Sequence, residues 1–112
     1  IEAALIDHPA VSEAAAIGVP DEIKGTDVIC FVVLHPGRHE TEALRAELVQ
    51  TVVDALGKVD RPKAVMFVDD LPKTRSAKIM RRVIRATYLG RPAGDVSSLE
   101  NPDAVKAIGE AS

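Results

Sequence analysis

Aromatic residues are nearly missing: the 112 residues contain two Phe, one Tyr and no Trp. A core must therefore be aliphatic, and the stacking platforms with which single-stranded nucleic acid is read have almost nothing to be built from. Cysteine occurs once, as Cys30, which excludes an internal disulfide. Its place in the apolar run VICFVVL predicts a buried, inert thiol, and a reducing, cytoplasmic compartment is the expected setting. No stretch approaches the ~20 apolar residues of a membrane-crossing helix, and no signal-peptide pattern is present. His35 and His39 have no Cys or carboxylate at ligand spacing and read as loop residues. Internal repeats and low-complexity tracts are absent as well.

What is present is ordinary in amount and uneven in placement. Hydrophobic residues make up 46% and charged residues 28%, as in a globular domain of modest size. The formal net charge is -3. Between Leu71 and Gly94, however, seven basic residues occur and no acidic one; the other seven basic residues face all 17 acidic ones, leaving -10 on the remainder. The basic segment is thus a local device and not a general preference for polyanions. That excludes a freestanding nucleic-acid binder as the leading reading.

The pattern of elements is legible. IEAALIDHP reads as a helix already under way that stops before Pro9, so the chain is expected to be the C-terminal piece of a longer protein. Residues 11–19 read as a strand, 20–25 as a turn, and TDVICFVVLH (26–35) as a central strand buried on both faces and antiparallel to the first. Leu44, Leu48, Val52 and Leu56 mark an amphipathic helix from about Thr41, closed by Gly57. A third strand is expected in KAVMFVDDL (63–71), a second amphipathic helix over 78–89, and a short helix near Asn101-Pro102 with Asn as cap. This order predicts an α+β domain, a small sheet of about three strands flanked by helices in two or three layers, over residues 1–94, with 95–112 as a tail.

The basic segment LPKTRSAKIMRR (71–82) joins the third strand to the second amphipathic helix. At 100° per residue, Arg81, Arg82 and Arg85 fall within about 60° of Lys78, and Ile79, Met80, Val83 and Ile84 occupy the other side. Three readings compete: a solvated helix face, a nucleic-acid patch, and a catalytic or ligand-binding loop that places Lys78 at a helix start, facing an anion. Asp69 and Asp70 read as a strand end that balances the basic loop.

The segment closely resembles the lysine motif, PKTRSGK, of the adenylate-forming enzymes. VSEAAAIGVPDEIKGTDVICFVVL resembles the strand-turn-strand region of their C-terminal domain, and GDVSSLENP is similar to the tail of the acetyl-CoA synthetases. The resemblance implies a mobile C-terminal domain that works with its own N-terminal domain on acetate, ATP, with Mg, and CoA. By itself the fragment is expected to be inactive. Lys78 matches the catalytic lysine, which bridges the attacking carboxylate and the α-phosphate region of ATP; Thr74, Arg75 and Ser76 match the supporting loop. The same lysine is implied as a target of a protein lysine acetyltransferase and deacetylase, acetylation removing its charge. A propionyl- or other short-chain acyl-CoA synthetase domain, or a separate recognition module for the acetyltransferase, are the alternatives.

Arg75, Arg81 and Arg82 read either as a positive field for phosphates or as contacts to the N-terminal domain or solvent. Two positions depart from the family. Ala77 stands where glycine is usual, which costs of order 1 kcal/mol if the backbone there has a positive φ. Val53 stands where an arginine often meets a CoA phosphate, so that contact is not carried over; Lys58 and Arg61 are speculative substitutes. In LIDHPAV, Ile6, His8 and Val11 match positions that hold magnesium in some bacterial members, against the simpler reading of His8 as a helix-end residue.

Overall fold

The computed structural model describes residues 1–21, 23, 25–57, 61–92, 99–101 and 103–111; Lys58, residues 94–98 of the tail motif and Pro102 lie outside them. Seven elements follow in order: α1 (Glu2–Ile6), β1 (Val11–Asp21), β2 (Gly25–Leu34), α2 (Glu42–Leu56), β3 (Ala64–Phe67), α3 (Arg81–Tyr88) and α4 (Asp103–Ala111). The strands form one sheet in the order β1-β2-β3. β1 and β2 are antiparallel, from Val11 opposite Leu34 to Asp21 opposite Gly25. β3 lies parallel to β2, with Ile29 opposite Ala64 and Val32 opposite Phe67, and α2 carries the chain between them, as a parallel connection requires.

Alternation along β2 divides the core in two. Ile29 and Phe31 join Ala15, Ile17, Val68, Leu71, Ile84 and Ile108 on one face. Cys30 and Val32 join Leu5, Ala14, Leu48, Val52 and Val65 on the other. Helices α3 and α4 therefore cover one face, α1 and α2 the other, and the domain has three layers. All four β2 residues are fully buried, which accounts for a run that is apolar without interruption. The half-buried Tyr88 meets Phe31 edge to face, ring centroids 5.9 Å apart, and burying a side chain such as Phe31 contributes about 1.5–3 kcal/mol.

Local chemistry sets the bounds of α2. The Thr41 hydroxyl accepts the Leu44 N–H at 3.0 Å, a regular N-cap. Gly57 ends the helix at φ 96, its N–H donating to the Val53 carbonyl.

Two expectations need correction. The third strand is shorter than 63–71. Past Phe67 the Val68 N–H still donates to Val32, but the chain then turns inward to bury Leu71, with the Asp70 carboxylate accepting the Leu71 N–H at 2.9 Å. The second amphipathic helix begins at Arg81 and not at Lys78. Residues 78–80 are extended because Ile79 pairs with Lys73 and the Met80 N–H donates to Pro72 at 2.9 Å.

Candidate functional site: the Lys78 hairpin

The segment from Lys73 to Ile79 folds back on itself. Thr74 N–H donates to the Lys78 carbonyl at 3.0 Å and Ala77 N–H to the Thr74 carbonyl at 2.9 Å, leaving Arg75, Ser76 and Ala77 as a three-residue tip. Such a tip needs a left-handed residue in its last position, where glycine is usual. Ala77 fills it at φ 65, the one non-glycine residue with positive φ among those described. The Thr74 hydroxyl supports the turn from inside, 3.0 Å from the Ser76 hydroxyl and accepting the Lys78 N–H at 3.3 Å.

The hairpin is anchored through its first arm and its root. Its first arm pairs on its other edge with the tail: Thr74 is bridged to Leu99, and the Glu100 N–H donates to the Lys73 carbonyl at 2.8 Å. Asn101 accepts the Lys73 N–H at 2.8 Å through Oδ1 and donates through Nδ2 to Asp70, 2.7 Å, and to the Leu71 carbonyl, 2.7 Å. Lys73 Nζ donates to Glu13 at 2.6 Å and to Asp70 at 3.1 Å. Burial acts to raise the Asp70 carboxyl, but the hydrogen bonds from Asn101, Lys73 and Leu71 outweigh it and hold the group below its ordinary range. For Lys73 burial acts downward, and its bonds to Glu13 and Asp70 raise it nonetheless.

Beyond the hairpin the arginines are tied to the domain itself. Arg81 grips Glu2 through two nitrogens, Nε at 2.6 Å and Nη2, while Glu2 also accepts the Ala16 N–H at 2.7 Å. Arg85 Nε donates to the Gly18 carbonyl at 2.8 Å. Arg82 is engaged too. Arg75 is 93% exposed, 3.7 Å from Glu100. Arg81, one of the three arginines read as a phosphate field or an outward contact, thus has a partner within the domain, as does Arg85; these partners lie on α1 and β1, 79 and 67 positions away, beyond the reach of local spacing. By contrast Lys78 is exposed, and among the described residues its ammonium makes no hydrogen bond or ion pair. One lysine is held by two carboxylates and another, five residues on, is presented to solvent.

The remaining candidates fall elsewhere. Ile6 ends α1, His8 lies in the following turn and Val11 opens β1. The His8 ring is committed, Nε2 to Glu47 at 2.7 Å and Nδ1 to the Ala10 N–H at 3.1 Å, and its carbonyl accepts the Val11 N–H; a cation there would be held by main-chain oxygens. Among the described residues no group of three His, Cys, Asp or Glu side chains has metal-site geometry. Val53 is half-buried and Arg61 exposed. Burial pushes the Cys30 thiol up to about 12. His35 and His39 lie in the loop after β2. Sequence reasoning missed Asn101 as part of the site: it reads as a helix cap, yet its side chain reaches Lys73, Asp70 and Leu71, while its main-chain carbonyl accepts the Ala104 N–H.

Three comparisons bear on this arrangement. The chain is 51% identical over 108 residues, 96% of its length, to an acetyl-coenzyme A synthetase of Methanothrix thermoacetophila. It is 46% identical over 111 residues, 99% of its length, to a 3-hydroxypropionyl-coenzyme A synthetase of Sulfurisphaera tokodaii. Among solved structures, an acyl-CoA synthetase of Brucella canis superposes on 80% of the chain with TM-score 0.75 and 43% identity, using 16% of its own length. The chain spans only 16% and 17% of the two sequence relatives. The family profile of the AMP-binding enzyme C-terminal domain matches residues 1–78 and so ends on the exposed lysine. With that match and these identities, the chain belongs to the AMP-binding enzyme C-terminal domain family.

Proposed function

We propose that this chain is the C-terminal domain of an AMP-forming acetyl-CoA synthetase and that Lys78 serves its adenylation step. The observation that carries the reading is the contrast between Lys78 and its neighbours: Lys73, Arg81 and Arg85 are bound to the domain, whereas Lys78 is exposed at the end of a hairpin braced on both arms. When acetate attacks the α-phosphate of ATP, two anions meet, and a positioned ammonium offsets their repulsion where charge develops. Lysine suits this task as a compact charge with three donors on a long stem. The acetate pocket, most ATP and CoA contacts, and the Mg that accompanies ATP belong to an N-terminal domain in this reading. Acetyl-adenylate then passes its acetyl group to the CoA thiol, a step in which Lys78 takes no part.

The exposure of Lys78 equally suits it as the substrate of a protein lysine acetyltransferase, with a deacetylase to reverse the change; acetylation removes the positive charge that adenylation needs. A cytoplasmic setting completes the reading. A second reading, a short-chain acyl-CoA synthetase of other acyl preference, draws on the similarity to the 3-hydroxypropionyl enzyme. In the full-length enzyme, Lys78→Ala is expected to lower acetate-dependent pyrophosphate release by about 100-fold or more. Thioester formation from supplied acetyl-adenylate stays near the parent level. Normal pyrophosphate release by that variant refutes the role.

A further inference from the structure

The geometry points to Asn101 as a positioning residue for Lys78, acting through the root of the hairpin. The inference rests on the adenylation reading of Lys78 and adds a part that the family profile, which ends at residue 78, does not contain. Three atoms converge on the Asn101 amide: the Lys73 main-chain nitrogen at 2.8 Å, the Asp70 carboxylate at 2.7 Å and the Leu71 main-chain oxygen at 2.7 Å. Two of them are main-chain atoms of the strand that enters the hairpin. The third partner, the Asp70 carboxylate, also accepts from Lys73 Nζ, so the amide fixes the backbone of Lys73 directly and its side chain at one remove.

From Lys73 the constraint reaches Lys78 in two bonded steps. Lys73 pairs with Ile79 across the hairpin, and Thr74, the next residue, bonds Lys78 through both its main chain, 3.0 Å, and its hydroxyl, 3.3 Å. On the outer edge the tail supplies a third strand-like arm through Leu99 and the Glu100 N–H. The hairpin tip itself has no packed side chains, since Arg75, Ser76 and Ala77 are exposed. Its aim is therefore set at the root. Without Asn101 the Lys73 N–H and the Leu71 carbonyl lose their partners at a partly buried site, which loosens the arm. The reaction is sensitive to that, because a misplacement of about 1 Å can cost on the order of 100-fold.

The test compares the two half-reactions in the full-length enzyme. Asn101→Ala is expected to slow acetate-dependent pyrophosphate release about tenfold, the equivalent of one lost hydrogen bond. Thioester formation from supplied acetyl-adenylate stays within about twofold, an asymmetry that general destabilisation does not produce. The exchange pair Asp70→Asn with Asn101→Asp restores an amide-to-carboxylate bond of reversed polarity and keeps an acceptor for the Lys73 N–H but leaves the Leu71 carbonyl without its donor, so it recovers part of the first half-reaction. Asn101→Ser, which keeps a short polar side chain and adds no charge beside Asp70, carries the same comparison where the alanine variant does not fold. Equal losses in both half-reactions, or none in the first, overturn the positioning role. Full pyrophosphate release by Lys78→Ala is a distinct result that overturns the underlying reading of the lysine.

Discussion

Replacing Ala77 by glycine should make this protein more stable, against the usual direction of such a change. Ala77 holds φ 65, a left-handed conformation in which an L side chain costs about 1–2 kcal/mol. It is exposed, so its methyl group gives little packing in return. Glycine removes the strain but widens the unfolded ensemble, at a cost of about 0.4–1 kcal/mol. The difference leaves a net gain of about 0.5–1 kcal/mol, which for a domain near this size raises Tm by about 2–6 °C. Thermal unfolding followed by circular dichroism at fixed pH and concentration measures this directly. Ala77→Val is the control in the other direction, because a β-branched residue at positive φ is disfavoured further, and its Tm should fall below that of the parent. A glycine variant that melts lower than the parent would mean that Ala77 is not strained in solution and would refute the reasoning.

Acid should act through Glu2. Burial works to raise this carboxyl, but the bonds from Arg81 and the Ala16 amide prevail and it lies below its ordinary value; a depressed carboxyl stabilises the fold above its unfolded pKa and loses that contribution as pH falls through the lower, folded value. Urea unfolding at neutral and at acid pH should therefore show a smaller acid loss in Glu2→Gln than in the parent, and equal losses contradict the assignment. Cys30, with its thiol pushed up to about 12, should resist a thiol reagent at mildly alkaline pH until denaturant opens the chain; labelling of the folded protein at the rate of a free thiol argues against its burial. Phe31→Ala should cost about 3–5 kcal/mol by leaving a cavity under Tyr88, seen as a lower urea midpoint.

Much of the fold could be read from local pattern. The apolar run 26–35 announced a strand covered on both faces, and Ile29 to Val32 are indeed fully buried. Thr41 and Gly57 bounded α2 by capping chemistry that acts within a few residues. The start of α3 was misread because the periodicity of Ile79, Met80, Val83 and Ile84 runs through a boundary set elsewhere: Ile79 and Met80 serve Lys73 and Pro72 before the helix begins. Lys78 was legible as the residue to watch, by motif and not by helical phase. Its surroundings were not, since Glu13, Glu2 and Asn101 reach the basic segment across 60, 79 and 28 residues, and no spacing rule spans such gaps.

Those long separations have a consequence for the order in which the protein assembles. The β1–β2 hairpin closes over a short turn and can form early, while β3 must return parallel to β2 after the whole of α2, and chain closure of that kind slows folding. The Lys78 hairpin comes later still, because its outer arm at Leu99 and Glu100 can bind only when α3, which lies between, has docked. Destabilising changes at Asn101 should then leave the folding rate nearly unaltered and appear almost wholly as faster unfolding. The part of the molecule that carries the exposed lysine is thus the last to be built and the first to be released.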